Sequence, residues 1–220
     1  MAGKTALIAG ATGLVGNELL QFLLKEKEYE KVVALVRRPL AKKNPKLDEI
    51  IVDFDKLEDY RESFAVDDVF CCLGTTIKKA KTKEAMWKID VDYPVAIAKL
   101  ASSQGTRKFM LVSSMNADPN SSIFYSKMKG KLEEAIKQIP FESTSIFRPS
   151  LLLGNRQEFR LGERAAAAIL TKVPFLFAGP LKKYRAIEGK TVASAMYKAA
   201  QENKPGITIY PSEQIQKIGG

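Results

Sequence analysis

A tyrosine and a lysine stand four residues apart in the segment Tyr125-Ser-Lys-Met-Lys129. On a helix this spacing puts both side chains on one face, one turn apart. A tyrosine on its own titrates at about pH 10, but a neighbouring ammonium favours the phenolate. Such a tyrosine can exchange a proton with a carbonyl or alcohol oxygen near neutral pH. Taken alone, the same pattern also describes an ordinary amphipathic helix.

Two adjacent serines precede this pair, directly after the apolar run Lys108–Val112. Ser114 is placed to hydrogen-bond the oxygen that reacts with Tyr125, and Ser113 is the alternate candidate. A serine at a strand end, followed by the tyrosine and lysine on a helix, predicts proton transfer at a carbonyl or alcohol with Ser114, Tyr125 and Lys129 as the catalytic set.

The composition excludes several other chemistries. The chain has 220 residues and no histidine, so a Ser-His-Asp triad, a Cys-His pair and a histidine metal ligand are all absent. Its two cysteines, Cys71 and Cys72, are adjacent, a spacing that suits neither a disulfide nor a metal site. We therefore expect reduced, buried cysteines and no bound metal.

A glycine-rich loop, Gly10-Ala-Thr-Gly-Leu-Val-Gly16, lies between the first apolar run and the first helical pattern. Glycines let the backbone turn tightly and approach a pyrophosphate, while the N-terminus of the following helix supplies N–H groups. The spacing is GxxGxxG rather than GxGxxG, and an ordinary glycine-rich turn is the competing interpretation. Its position after the first strand favours dinucleotide binding, in which Lys129 would bind the nicotinamide ribose.

The end of the second strand indicates which dinucleotide is bound. Sites for NAD usually carry an acid there for the ribose hydroxyls, whereas this strand ends in Arg37 and Arg38. A guanidinium can bind a 2′-phosphate through two hydrogen bonds, so we expect NADP(H); the alternative is a solvated arginine pair. Asp53, at the end of the third strand, is either a ligand of the adenine amino group or a polar strand end.

Apolar strands alternate with helical patterns along the chain. We predict strands at Thr5–Ala9, Lys31–Val36, Glu49–Phe54, Asp68–Leu73, Lys108–Val112, Ser143–Phe147 and Gly206–Tyr210. We predict helices at Leu14–Lys25, about Lys83–Ser103 with a kink at Pro94, Tyr125–Lys137, Gly162–Thr171 and Lys190–Glu202. Continuously apolar strands are typical of a parallel sheet that is buried on both faces.

The expected fold is therefore an α/β, doubly wound parallel sheet in one domain over residues 1–220. Residues 156–186 break the alternation, and we expect them to form a partial cap over the site. The C-terminal tail, Pro205–Gly220, contains the apolar residues Ile215 and Ile218 and would pack on the domain or on a partner.

The net charge of +10 has three possible explanations: the protein binds an anionic small molecule, it binds nucleic acid, or the charge serves solubility. The charges are dispersed and few aromatics interleave with them, so nucleic acid ranks lowest and is not expected as a partner. Lys78, Lys79, Lys81 and Lys83 either steer an acidic ligand or belong to a solvated loop. No signal peptide or membrane-spanning stretch is seen, and we expect a cytoplasmic protein that does not bind a membrane.

Six segments together carry a family resemblance: GATGLVG, VRRP, FCCLGTT, VSSMNAD, YSKMK and FRPSLLLGNRQEFR. They resemble an atypical short-chain dehydrogenase/reductase, with the branch of Tat-interacting-protein-like oxidoreductases most similar. The resemblance implies cofactor contacts through the phosphate loop, the second strand, the fourth strand and the later part of the chain: Gly10, Thr12, Gly13, Leu14, Val15, Gly16, Arg37, Arg38, Leu73, Gly74, Leu152 and Arg160. It also implies Tyr125 and Lys129 as the catalytic pair.

One position departs from that family. Many short-chain dehydrogenases carry an asparagine on the fourth helix that supports a proton-relay water, and the matching residue here is Asp90. Two functions therefore stand side by side. The first is an NADP(H)-dependent enzyme acting on a small carbonyl or alcohol. The second is an NADP(H)-binding redox sensor or scaffold that binds a protein partner and turns over little. The residues specify neither the substrate nor the oligomeric state.

Overall fold

The computed structural model describes residues 3–153 and 185–220. The strands in these ranges are β1 (Lys4–Ala9), β2 (Tyr29–Val36), β3 (Leu47–Ile51), β4 (Asp68–Cys71), β5 (Lys108–Val112), β6 (Ser143–Arg148), β7 (Leu152–Leu153), β8 (Ile187–Glu188) and β9 (Gly206–Pro211). The α-helices are α1 (Leu14–Lys25), α2 (Ile77–Ala80), α3 (Lys83–Trp87), α4 (Tyr93–Ser103), α5 (Phe124–Lys137), α6 (Gly189–Gln201) and α7 (Ser212–Gly219). The expected helix at Gly162–Thr171 and nearly all of the expected cap lie outside the described residues.

A parallel sheet organises the described part of the chain. Its seven strands run in the order β3-β2-β1-β4-β5-β6-β9, and every neighbouring pair is parallel. The chain reverses its direction of sheet growth between β1 and β4, the point at which doubly wound sheets bind ligands beyond their carboxyl ends. A separate short pair joins β7 to β8.

Each face of the sheet is covered by helices, which explains the continuously apolar strands. One core packs α1, α6 and α7 on the sheet, and the other packs α4 and α5 on the opposite face. The strand β1 contributes to both: Ala6 and Ile8 belong to the first core, Leu7 and Ala9 to the second. The predicted doubly wound α/β fold is confirmed.

A widened helical turn lies directly before Pro94, where the sequence predicts a kink. Lys88–Asp92 form a π-helical turn between α3 and α4, and the N–H of Tyr93 donates to the carbonyl of Lys88. Proline has no N–H to offer the carbonyl four residues earlier, which here belongs to Asp90. The helix accommodates this with longer-range hydrogen bonds, as π-turns do. Asp90 therefore lies in the widened turn.

The third strand ends earlier than predicted. β3 stops at Ile51, and a 3-10 stretch begins at Phe54 and runs to Phe64. Asp53 causes this turn because its side chain accepts a hydrogen bond from the N–H of Asp55, capping the new helix. Sequence analysis missed the 3-10 stretch entirely.

The C-terminal tail packs on the domain. It forms β9 and α7, and Ile215 is fully buried in the core that α6 shares. A side chain at Gly219 would collide with the carbonyl of Thr191 on α6, so the two helices touch backbone to backbone.

Candidate active site

The loops that follow β1 and β4 meet through their backbones. Gly10 has φ +89°, a conformation that favours glycine, and a Cβ there would lie 2.5 Å from the carbonyl oxygen of Cys72. A Cβ on Gly16 would lie 2.1 Å from the carbonyl oxygen of Gly10. No side chain fits at either position without moving backbone. Both glycines are therefore needed for the close approach of strand, loop and helix.

The start of α1 offers N–H groups to a ligand. Gly13 is its N-cap, no side chain caps the helix, and the first turn contains no acid. Thr12 and Gly13 are exposed and Leu14 is half-buried, whereas the side chains of Val15 and Ala11 are buried. A phosphate at this position would meet backbone donors and the positive end of the helix dipole.

Arginines at the end of β2 flank this loop. Arg37 and Arg38 are both exposed and directly follow Val36. A groove of about 170 Å³ lies between the glycine loop and the chain after β2, and its wall includes Thr12, Asn17 and Lys42. Lys42 therefore lies close to the start of α1, and the two arginines follow the strand next to β1.

The structure places Asp53 two residues beyond the end of β3. It is exposed, and one of its carboxylate oxygens already accepts the N–H of Asp55 at 3.0 Å. Its capping role explains the residue without a ligand. Asp53 follows a strand end at the same edge of the sheet as the glycine loop, and its contact with adenine stays a prediction.

Tyr125 and Lys129 lie on one face of α5, as their spacing predicts. The ammonium of Lys129 is 6.0 Å from the centroid of the Tyr125 ring. It lies 2.8 Å from Oδ1 of Asp90, and the side chains of Lys129 and Asp90 are only 3% and 0% exposed. The contact is an ion pair that lacks the angles of a well-aligned hydrogen bond. Oδ2 of Asp90 accepts the N–H of Thr75, after β4, at 2.8 Å.

The two serines after β5 differ in their surroundings. Ser113 is buried and its hydroxyl donates to Oε1 of Glu133 at 2.6 Å. Ser114 is half-exposed. Because Ser113 is engaged inside the protein, Ser114 is the better candidate of the two for contact with a ligand.

The loop between β5 and α5 is held close to the helix. A Cβ on Gly130 would lie 2.1 Å from the nitrogen of Pro119, and the N–H of Asp118 donates to the carbonyl of Ser126 at 3.1 Å. The absence of a side chain at Gly130, directly after Lys129, therefore fixes the spacing between the serine loop and the helix that carries Tyr125.

The remaining predicted cofactor contacts fall in three places. Leu73 and Gly74 follow β4; Leu73 packs on the core at its edge and Gly74 is exposed, with a Cβ there 3.6 Å from Oδ1 of Asp90. Leu152 is half-buried in β7, where it pairs with Ile187. Arg160 lies outside the described residues.

The lysine-rich segment lies beside the start of α5. Lys78, Lys79, Lys81 and Lys83 are all exposed. The ammonium of Lys83 lies 5.4 Å from the centroid of the Phe124 ring, next to Tyr125 in the chain. Both interpretations of these lysines, a ligand-steering field and a solvated segment, fit this placement.

The described residues show neither a metal cluster nor a membrane-spanning helix. Across residues 3–153 and 185–220, no group of three or more His, Cys, Asp or Glu side chains could hold a metal ion. Within those two ranges, no helix is long and apolar enough to cross a bilayer.

Sequence analysis missed an acid inside α5. Glu133 is buried on the same helix face as Met128, Leu132 and Ile136, and Arg148 donates two hydrogen bonds to it, at 2.9 and 2.6 Å. An acid within the apolar stripe of an amphipathic helix is the signal that could have revealed it, because a buried carboxylate needs a partner. The role of Asp90 as the counterion of Lys129 was also missed.

Comparison with known proteins gives the family. A model described as the NAD dependent epimerase/dehydratase family matches residues 6–216. Protein HTATIP2 of Rattus norvegicus is 38% identical over 178 residues, which cover 79% of this chain and 73% of that protein. Protein FMP52, mitochondrial, of Meyerozyma guilliermondii is 34% identical over 220 residues, covering 96% of this chain and 94% of that protein.

The predicted cytoplasmic location is wrong by this comparison. Relatives that match most of the chain, from Meyerozyma guilliermondii and Emericella nidulans, are named as mitochondrial proteins. The prediction relied on seeing no signal peptide and no membrane span, and neither observation bears on entry into mitochondria.

Solved structures support the fold. MoeE5 in complex with UDP-glucuronic acid and NAD matches with a TM-score of 0.72 at 16% identity, covering 93% of this chain and 75% of that one. The Bordetella bronchiseptica enzyme WbmH in complex with NAD+ matches with a TM-score of 0.72 at 14% identity, covering 96% and 76%. With this fold and these sequence matches, the chain belongs to the NAD dependent epimerase/dehydratase family and to the atypical short-chain dehydrogenase/reductases, which depend on nicotinamide nucleotides.

Proposed function

We propose that this protein is an NADP(H)-dependent oxidoreductase that reduces a small carbonyl compound, or oxidises the corresponding alcohol, with Ser114, Tyr125 and Lys129 as its catalytic residues. The observation that carries the proposal is the buried ammonium of Lys129, 6.0 Å from the Tyr125 ring and 2.8 Å from Asp90. Burying a charge costs free energy, and buried charged groups are often found at functional sites. A buried ammonium one turn from a tyrosine therefore favours a role in catalysis over a role in packing alone.

The residues present fit a nicotinamide dinucleotide. Gly10 and Gly16 allow the glycine loop to pack tightly between β4 and α1, and α1 begins without a capping side chain or an acid. Thr12, Gly13 and the backbone of Leu14 and Val15 would bind the pyrophosphate. Leu73 and Gly74 would pass beside the adenosine ribose, and Leu152 would line the nicotinamide pocket. Arg160 would approach the cofactor from the cap.

The choice of NADP rests on charge at the end of β2. Arg37 and Arg38 are exposed there, and no acid occupies the position that binds ribose hydroxyls in NAD sites. Lys42 in the adjoining groove adds positive charge. A guanidinium would bind the 2′-phosphate through two hydrogen bonds and would gain little from an unmodified ribose. The carboxylate of Asp53 would accept a hydrogen bond from the adenine amino group.

The chemistry divides among three side chains. When bound, a reduced nicotinamide would supply the hydride that the carbonyl carbon accepts. The hydroxyl of Tyr125 donates its proton to the carbonyl oxygen, and the hydroxyl of Ser114 donates a hydrogen bond to the same oxygen. Lys129 stabilises the phenolate that remains and binds the nicotinamide ribose. In the reverse direction, the phenolate of Tyr125 would accept the alcohol proton while the hydride of the alcohol carbon would pass to the oxidised nicotinamide.

The test is turnover with a panel of aldehydes, ketones and quinones. Purified protein and NADPH are mixed with each compound, and absorbance of the reduced cofactor is followed against a heat-inactivated control. We expect at least one carbonyl to give turnover that saturates with its concentration. Rates equal to the control across the panel, in protein that binds NADPH, would overturn the enzymatic proposal.

The second candidate function is an NADP(H)-binding redox sensor or scaffold for a protein partner. The observation that favours it is Asp90, a buried acid paired with Lys129 at the position where many short-chain dehydrogenases carry the asparagine of a proton relay. A sensor would bind NADPH tightly, change its protease sensitivity with the redox state of the cofactor, and show no turnover. Saturable carbonyl reduction would contradict it.

A further inference from the structure

We propose that Asp90 is a positioning residue whose carboxylate holds the ammonium of Lys129 in place and in its charged form next to Tyr125. This inference rests on the proposed function and deepens it. It assigns to Asp90 a role different from the one that the resemblance implies for this position, where an asparagine supports a relay water.

Geometry is the first argument. Oδ1 of Asp90 lies 2.8 Å from Nζ of Lys129, and Oδ2 accepts the N–H of Thr75 at 2.8 Å. The carboxylate thus joins three elements that meet at the carboxyl edge of the sheet: the loop after β4, the π-turn and α5. A π-turn inside an α-helix often marks a functional position, and here Pro94 supplies its cause.

Burial is the second argument. The side chains of Asp90 and Lys129 are 0% and 3% exposed, so neither charge is solvated by bulk water. A buried ammonium without a counterion tends to lose its proton, because desolvation disfavours the charged form. Asp90 offsets this cost. The pair as a whole is neutral, yet its positive member is the one that lies next to the Tyr125 ring.

Three titratable groups of the described elements around the pair are engaged elsewhere or neutral. Burial raises the pKa of the Cys71 thiol to about 11, so this group of β4 carries no charge near neutral pH. Glu133, one turn further along α5, is paired with Arg148. On the π-turn itself, Lys88 and Asp92 are exposed to solvent, and Lys88 pairs with Asp55. The Tyr125 ring also lies near this ammonium, with its centroid 6.0 Å from Nζ of Lys129.

Asp90→Asn separates charge from structure. The amide oxygen of asparagine can still accept the N–H of Thr75, so the loop keeps its hydrogen bond while the ion pair loses its anion. Asp92→Asn is the matched control, because it makes the same chemical change at an exposed position two residues along the same turn. Asp90→Ala removes both interactions.

The first experiment measures kcat against pH with NADPH and the best carbonyl of the panel. Without its anion, Lys129 loses its proton at lower pH and no longer supports proton transfer by Tyr125. We expect Asp90→Asn to lower kcat at neutral pH by about tenfold or more and to move the alkaline limb down by about one pH unit or more. Asp92→Asn should match the parent protein.

Two results would overturn the role. If Asp90→Asn matches Asp92→Asn while Asp90→Ala is impaired, Asp90 only holds the loop at Thr75. If Asp90→Asn is more active than the parent, the position is a weakened relay site and asparagine restores it. The affinity for NADPH, measured by quenching of protein fluorescence, should change by no more than about threefold in Asp90→Asn.

The second experiment does not require activity. Thermal unfolding is measured for Asp90→Asn, Lys129→Met and the double variant. An ion pair predicts that each single variant lowers Tm and that the double variant loses much less than the sum, because no unpaired charge stays buried. Additive losses would overturn the pairing itself. If the parent protein is inactive but the losses in the single and double variants are non-additive, the proposed function and the positioning role of Asp90 in it are wrong. The ion pair itself would still be supported.

Discussion

The guanidinium of Arg148 donates two hydrogen bonds to the carboxylate of Glu133, from Nε at 2.9 Å and from Nη2 at 2.6 Å. The same carboxylate accepts the hydroxyl of Ser113. This cluster joins α5 to the ends of β5 and β6, one turn beyond Lys129 and one residue before Ser114. The relative position of the proposed catalytic residues therefore depends on a charged contact beneath them.

Arg148→Met should destabilise the protein, because it leaves the buried carboxylate of Glu133 without its main partner. Since the side chain of Arg148 is 28% exposed, we expect a loss of about 2–3 kcal/mol, below the range for a fully buried pair. Chemical denaturation measures it. Lys137→Met is the control, since its ammonium lies 3.9 Å from Glu133 and is less buried. Equal losses in the two variants would show that the two hydrogen bonds from Arg148 stabilise the protein no more than the distant ammonium of Lys137 does.

Gly16→Ala should damage both the fold and cofactor binding, because its Cβ would lie 2.1 Å from the carbonyl oxygen of Gly10. The backbone must shift in the loop that would bind the pyrophosphate, at a cost of about 1–3 kcal/mol. NADPH affinity and Tm are measured together.

Gly105→Ala is the control for that substitution. Gly105 has φ +83° but no atom within 4 Å of its Cβ position, so alanine there is strained without touching the loop. It should lower Tm and leave NADPH affinity unchanged. A Gly16→Ala protein with normal NADPH affinity would contradict the role given to the glycine loop.

The double variant Arg37→Ala/Arg38→Ala should weaken NADPH binding by about 10²-fold or more and NADH binding by less than about threefold. The reason is that these guanidiniums would contact the 2′-phosphate, which NADH lacks. Titration calorimetry with both cofactors gives the ratio.

The variant Lys25→Ala/Lys27→Ala removes the same formal charge at the C-terminal end of α1. This end is about 16 Å along the helix from the glycine loop. Both lysines are exposed. This control should leave both affinities nearly unchanged. Equal weakening of NADPH and NADH by the arginine variant would show that the proposed choice of NADP is wrong.

Asp68→Asn should raise stability at neutral pH. The carboxyl of Asp68 lies at the amino end of β4, is 1% exposed and accepts the hydroxyl of Tyr29 at 2.6 Å. Burial raises the pKa of Asp68 above its usual value. A carboxyl whose pKa is higher in the folded than in the unfolded state lowers the free energy of unfolding as the pH rises from the unfolded pKa to the folded pKa. Below the unfolded pKa it has no such effect.

The gain in Tm from Asp68→Asn should therefore be largest at neutral pH and disappear as the pH falls toward the ordinary value of 3.8. Asparagine still accepts the hydroxyl of Tyr29. Asp59→Asn, at an exposed position, should show no such dependence. A Tm difference that does not vary with pH would contradict the assigned cause.

Local pattern was enough to predict most of the fold. The strand β5 and the helix α1 have the bounds that were predicted from apolar runs and helical spacing. Errors arose where one side chain redirects the backbone. Asp53 caps a 3-10 turn and ends β3 early, and a widened turn before Pro94 divides the helix that was predicted over Lys83–Ser103.

The site divides in the same way. Tyr125, Lys129 and the glycine loop are recognisable because spacing along one helix or one turn determines their geometry. The pairs Asp90–Lys129 and Glu133–Arg148 join separate elements, so their partners depend on how the chain folds back on itself. Spacing along the chain carries no signal for such contacts.

Catalysis by Tyr125 is the central claim, and NADPH oxidation by Tyr125→Phe tests it most directly. The control is Tyr197→Phe, which removes a hydroxyl that donates to Glu28, far from the strand ends that carry the site. With the best carbonyl substrate, we predict that kcat/KM falls by about 10²–10⁴-fold in Tyr125→Phe, with NADPH affinity retained and the control unaffected. A rate in Tyr125→Phe equal to that of the parent protein would contradict the account.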